Sequence, residues 1–206
     1  QRQVGIDLES IADWPMHRLA EHVVTGIQDP AGQLTLIADT VAEEVAFGPA
    51  NLGLPRDEIA ERVELALHLT GIVELAPRDP ARLSGGQQQL VVIAGLLAMR
   101  PRHLVLDEPV AHLDASSARL VLAAIRAAAD NGAAVLLAEQ RTMELADVAD
   151  SIIVMGAGNI IGRGTPSAVL ADPANHVLGI AEPPEVTLRR KLQEAGLDPA
   201  LAEVPA

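Results

Sequence analysis

Two stretches of this chain hold residue types that can handle water, metal and phosphate. The first is His103-Leu104-Val105-Leu106-Asp107-Glu108-Pro109, where an apolar run meets two acids without a break. Such a run reads as a buried strand, which puts Asp107 and Glu108 at its C-terminal end, where open α/β sheets bind their ligands. Placed side by side, one carboxylate can neutralise metal charge while the other faces a water. The second stretch is Leu83-Ser84-Gly85-Gly86-Gln87-Gln88-Gln89, followed by a long apolar segment. Ser84 with Gln87 three residues later spells a helix capping box. The same turn collects free backbone N–H groups, a hydroxyl and the positive end of a helix dipole, which is a phosphate-binding arrangement. Each stretch also has a purely structural explanation: acids after a strand often open a turn, and a capping box needs no ligand.

Stepping outward, the elements that must position these residues alternate. His22 to Ile27 reads as a buried strand emptying into Gln28-Asp29-Pro30. Asp39 to Phe47 reads as a short helix capped by Asp39 and stopped by Gly48-Pro49, and Pro55 to Thr70 as a packed helix with Ile59, Val63, Ala66, Leu67 and Thr70 on one face. From Leu83 onward the pattern is a buried helix over 86–100, a strand over 103–106, a helix over 116–130 ending at Gly132, a strand over 133–138, a helix over 141–149 and a strand over 151–155. This alternation predicts a parallel sheet covered by helices on both faces. Gly156-Ala157-Gly158-Asn159 predicts a hairpin at the edge of that sheet, and a last amphipathic helix is expected over 186–195, after Pro183-Pro184.

Composition narrows the function classes. The 206 residues carry 15 Lys+Arg against 28 Asp+Glu, a net charge of −13, so wholesale neutralisation of nucleic-acid phosphates is excluded. There is no Cys, which removes disulfides and thiolate metal sites. No apolar stretch approaches the roughly 20 residues that cross a bilayer, so membrane association has to run through a partner. Aromatic cages and base-stacking platforms have little to build on, with Trp14, Phe47 and no Tyr.

In this order and spacing the motifs resemble a known superfamily. Leu83-Ser84-Gly85-Gly86-Gln87 is similar to the signature motif of the ABC ATPases, and Leu104 to Pro109 resembles their Walker B strand. Ala111-His112-Leu113-Asp114 looks like the D-loop, and Gly26-Ile27-Gln28-Asp29-Pro30 like the Q-loop. Within the superfamily, Gln33-Leu34 and the run from Asp39 to Pro55 resemble the energy-coupling factor ATPases of cobalt, nickel and vitamin uptake, as does the tail with Gly196-Leu197-Asp198-Pro199. The resemblance implies a P-loop NTPase-like α/β fold with a parallel sheet, flanking helices and a helical subdomain. It divides the chain into 1–30 through the Q-loop, a helical subdomain over 31–82, the signature and remaining core over 83–165, and a C-terminal extension over 166–206. It further implies ATP and Mg²⁺ as cofactors, with Asp107 and Gln28 at the metal, Glu108 polarising the attacking water, and Gln28, Ser84, Gly85, Gly86, Gln87 and Asp114 contacting nucleotide. Gln140 stands where the family carries a switch histidine, and it can donate to a phosphate but not carry a charge. The implied partners are a second ABC ATPase subunit, identical or paralogous, and an integral membrane component, on the cytoplasmic face of the membrane.

One expected part is not among these residues. The family's G-x-x-x-x-G-K-[ST] loop would precede Gln28, and the only lysine is Lys191, far downstream. The expectation is therefore a chain that starts after the N-terminal β lobe and Walker A strand, with sheet edges left open and with no hydrolysis of its own. Two further functions compete with a transporter ATPase. One is a non-catalytic module that supplies the signature motif to a partner ATPase. The other, ranked last, is a soluble ABC protein of DNA repair or translation.

Overall fold

Three parallel strands organise the first part of the chain: β3 (Val23–Gly26), β4 (His103–Asp107) and β5 (Ala134–Ala138), hydrogen-bonded in that order. The computed structural model describes residues 5–6, 9–176, 180 and 184–198. Pro183 and Pro199, which belong to the expected tail motifs, lie outside the described residues. Before β3 come the antiparallel pair β1 (Gly5–Ile6) and β2 (Glu9–Ser10) and helix α1 (Met16–His22). Helices α2 (Val41–Asn51), α3 (Arg56–Leu69) and α4 (Gly85–Ala98) connect β3 to β4, and α5 (Ala115–Asp130) connects β4 to β5. The register aligns Gly26 with Leu106, and Asp107 with Ala138, so the loops after all three strands leave from one end of the sheet.

The core forms where the sequence is apolar on every side. Helix α4 buries Leu90, Val91, Val92, Ile93, Ala94, Leu97 and Ala98, and α2 and α3 pack against it. Val41 and Val45 of α2 are fully buried, as are Leu104 and Leu106 of β4 to within one per cent. Each such side chain contributes about 1.5–3 kcal/mol of burial. Gly26 lets β3 close on this core: a Cβ there would lie 2.7 Å from the side chain of Leu106. Residues Gln1–Glu139 make up this compact unit.

The remaining residues, Gln140–Ala206, form a second unit. It contains α6 (Thr142–Leu145), the antiparallel pair β6 (Ile152–Gly156) and β7 (Asn159–Gly164), then α7 (Pro166–Ala171), α8 (Pro173–His176) and α9 (Pro184–Glu194). Ala157 and Gly158 both have positive φ, 47° and 78°, which is the two-residue hairpin geometry that the Gly-Ala-Gly-Asn run predicts.

Several expected boundaries differ. Thr40, not Asp39, caps α2 in a complete capping box with Glu43. The helix also runs through Gly48-Pro49 to Asn51, because a proline near the last turn forfeits a single ladder bond; Gly53, at φ 73°, supplies the left-handed exit instead. The expected helix over 141–149 is regular only over Thr142–Leu145 and continues as turns. The strand expected over 151–155 does not join the parallel sheet: among the described residues β6 pairs with β7 alone. A sequence-local hairpin closes through a two-residue turn, whereas a parallel partner needs a separate crossover.

Candidate functional site

The acids sit where the strand pattern puts them. Asp107 ends β4 and is exposed, and Glu108 follows with φ 46°, a left-handed conformation that a non-glycine residue adopts only under constraint. Its backbone is fixed on both sides: Glu108 N–H donates to the Ala138 carbonyl at 2.8 Å, and Ala111 N–H donates to the Glu108 carbonyl at 3.2 Å. Gln28, on the loop after β3, donates from Nε2 to Glu108 Oε2 at 2.7 Å across 80 residues of sequence. Two loops from neighbouring strands thus converge on one carboxylate.

Gln28 is itself held. Gln33 accepts from Ile27 N–H at 2.7 Å and donates to the Thr25 carbonyl at 3.1 Å, so one side chain ties both ends of the strand exit. Beyond it, the buried Glu44 of α2 accepts from Thr35 N–H at 2.6 Å and from its hydroxyl at 2.7 Å. Charge-assisted bonds of this kind are the stronger class, and these two anchor the segment after Gln28 to the helical part of the unit.

Ser84 and Gln87 form the expected capping box: Ser84 Oγ accepts from Gln87 N–H at 3.4 Å, and Gln87 Oε1 accepts from Ser84 N–H at 3.1 Å. The two glycines differ. A Cβ at Gly86 would come within 3.2 Å of the His112 carbonyl, so internal packing accounts for that glycine. A Cβ at Gly85 would meet nothing within 4 Å, and Gly85 is exposed, so the fold itself makes no demand there. Asp114 caps α5: Oδ1 accepts from Ser116 and Ser117 N–H at 2.9 and 3.0 Å, and Oδ2 accepts from the Ser117 hydroxyl at 2.8 Å. The Ser116 hydroxyl first, then the Ser117 backbone and hydroxyl, hold its carboxyl far below the usual carboxylate range. Gln140 opens the second unit, and its carbonyl accepts from Thr142 N–H at 2.9 Å.

The structure therefore brings Gln28, Asp107 and Glu108 together and gives Ser84, Gln87 and Asp114 local capping duties. Sequence reasoning passed over Gln33 as a clamp, Glu44 as an anchor, and Gln89, which is 2% exposed and donates from Nε2 to the Pro109 carbonyl at 3.0 Å. Gln89 follows Gln87 and Gln88 in the sequence, so its residue type gave no signal of its own.

Among the described residues no three His, Asp or Glu side chains are arranged to enclose a metal. Mg²⁺ at a nucleotide asks for less: one or two protein ligands, with waters and phosphates filling the octahedron. An exposed Asp107, next in sequence to the Glu108 that Gln28 grips, fits that demand.

Comparison with known proteins identifies the family. The family profile described as ABC transporter matches residues 2–111, more than half of the chain. The chain belongs to the ABC transporter family. It is 41% identical over 165 residues to the energy-coupling factor transporter ATP-binding protein EcfA2 of Caldanaerobacter subterraneus, covering 79% of this chain and 58% of that protein. It is 35% identical over 196 residues to the cobalt import ATP-binding protein CbiO of Syntrophus aciditrophicus, covering 94% and 69%. Against the EcfA of Methanoculleus marisnigri the figures are 42% over 172 residues, 82% and 61%. The chain thus spans about three fifths of the length of EcfA-type relatives. Among solved structures, cbiO1 of Clostridium perfringens, part of the cbiONQ transporter complex, superimposes with a TM-score of 0.71 at 31% identity, covering 92% of this chain and 72% of that one. The ATP-binding cassette MJ0796 shares the fold, with a TM-score of 0.68 at 21% identity over 78% of this chain and 72% of its own. The α/β P-loop NTPase-like fold of the family is the fold described above.

Proposed function

We propose that this chain is the ATP-hydrolysing part of an energy-coupling factor type importer subunit, working as a dimer on an integral membrane component. The observation that carries the reading is the 2.7 Å bond from Gln28 to Glu108, at the ligand-binding end of neighbouring parallel strands. Glu108 accepts hydrogen-bond density from the attacking water and orients it. Asp107 would hold Mg²⁺, with Gln28 as the second protein group. The metal, when bound, neutralises charge on the phosphate oxygens. Gln28 donates to Glu108 through Nε2, so Oε1 is the atom that would serve the metal. Ser84, Gly85, Gly86 and Gln87 face the γ-phosphate held by the opposite subunit, with Asp114 at the same dimer face and Gln140 donating to phosphate. The lysine and glycines of a phosphate loop do not occur at the required spacing in these 206 residues, and an ATP site needs them from elsewhere.

The open space at Gly85 supports the role across the dimer, since a free glycine leaves room for a docking phosphate. Among the described residues no helix is long and apolar enough to cross a membrane, so attachment falls to a partner. A groove of about 540 Å³ between α2 and α3, lined by Ala42, Ala46, Ile59, Val63 and Leu67, supplies an apolar seat for it. The test is phosphate release by a complete partner ATPase, kept dilute enough not to dimerise, as this chain is titrated in. Wild-type chain should stimulate release and Ser84→Arg should not; no stimulation by folded wild-type chain refutes the role across the dimer.

A further inference from the structure

We propose that Gln89 is a positioning residue for Glu108, a single amide through which the signature helix sets the geometry of the acidic turn. Glu108 holds a left-handed φ of 46° that its side chain does not favour. Something outside the turn must hold it there. Its N–H is tied to Ala138 and its carbonyl to Ala111. The next carbonyl, on the buried Pro109, accepts from Gln89 Nε2 at 3.0 Å. Proline has no N–H, so the peptide between Glu108 and Pro109 cannot be held by a ladder bond from Pro109, and the carbonyl is the remaining backbone handle on that residue.

The surroundings show that this bond is kept at a cost. Gln89 is 2% exposed, and its Oε1 is buried with no hydrogen-bond partner among the described residues. An apolar residue of the same volume would avoid an unsatisfied buried acceptor, and its neighbours Leu90, Val91, Val92 and Ile93 are apolar. A half-satisfied amide in such a helix is explained by what its other half does. The same helix touches the same turn a second time, where Gly86 approaches the His112 carbonyl. Displacement of α4 is therefore passed to the Pro109–Val110 peptide, one residue beyond Glu108. Since Ser84 and Gly85 begin that helix, occupancy at the signature turn and orientation of the acid are mechanically joined within one subunit.

The proposal rests on the reading of Glu108 as the group that polarises water, and the experiment separates the two. In the wild-type chain, nuclear magnetic resonance should show the Gln89 side-chain amide protons exchanging at least ~100-fold more slowly than those of the exposed Gln193. Gln89→Met keeps the volume and removes the donor. It should speed exchange of the Glu108 and Ala111 backbone amides about tenfold or more relative to Leu106, with little change in global unfolding. In the assembled complex of the full-length protein, Gln89→Met should lower kcat about tenfold or more with KM within about twofold, as loss of orientation alone predicts. Gln89 protons exchanging as fast as those of Gln193, a folded Gln89→Met with unchanged local exchange, or lost protection with unchanged kcat would each overturn the proposal. A wild-type complex without turnover would instead remove the reading of Glu108, leaving the exchange data to decide on position alone.

Discussion

Asp107, Glu108 and Gln28 acquire their meaning from where strands end, and this part of the site was legible in the sequence because apolar runs and adjacent acids are local signals. The bond from Gln28 to Glu108 was not legible: the resemblance implied Gln28 at the metal and the γ-phosphate, and no local rule links residues 80 apart. Gln33, Glu44 and Gln89 were not legible at all, because an amide or carboxylate that ties two loops has no spacing of its own. Asp114 shows the reverse: its Asp-Ala-Ser-Ser context supplies a cap whatever the ligand. The Ser116 and Ser117 donors hold its carboxyl below the ordinary range in the folded chain. A depressed folded pKa adds stability that is complete above the unfolded value, near 4 for an aspartate, and is lost as pH falls toward the folded one. Denaturant melts of wild type and Asp114→Ala should therefore differ most at neutral pH and draw steadily together as pH falls below about 4 toward the depressed folded value. A gap of constant size across that range would show that the cap is not acting through charge.

At the scale of elements, the long buried helix α4 and its Ser84–Gln87 capping box followed from pattern, and the boundaries that moved did so for identifiable reasons. Thr40 took the cap from Asp39 because only it has Glu43 three residues on to close the box. The helix continues through Pro49 with the loss of the one ladder bond that a residue with an N–H would make, and ends two residues later. The strand over 152–156 was assigned to the wrong sheet because strand pattern carries no information about which neighbour is nearest. Thr40→Ala should cost about 1 kcal/mol of stability by removing the hydroxyl that accepts from Glu43 N–H, measured by chemical denaturation. No loss would mean that packing of Val41 and Val45 alone sets where α2 begins.

For the whole molecule, an acidic chain with no spanning helix among its described residues, related to importer ATP-binding subunits, is expected to reach the membrane through its helical part. Replacing residues 31–70 with an unrelated helical segment should abolish co-purification with the membrane component, and retention would move the contact elsewhere. The central claim is that the carboxylate gripped by Gln28 drives ATP hydrolysis in that assembly. The most direct measurement is steady-state phosphate release by the assembled complex of the full-length protein carrying Glu108→Gln, with nucleotide occupancy determined on the same sample. The account predicts turnover reduced by about a hundredfold or more with occupancy retained, because the amide keeps the shape and loses the basic oxygen. Release at the wild-type rate with full occupancy would contradict it.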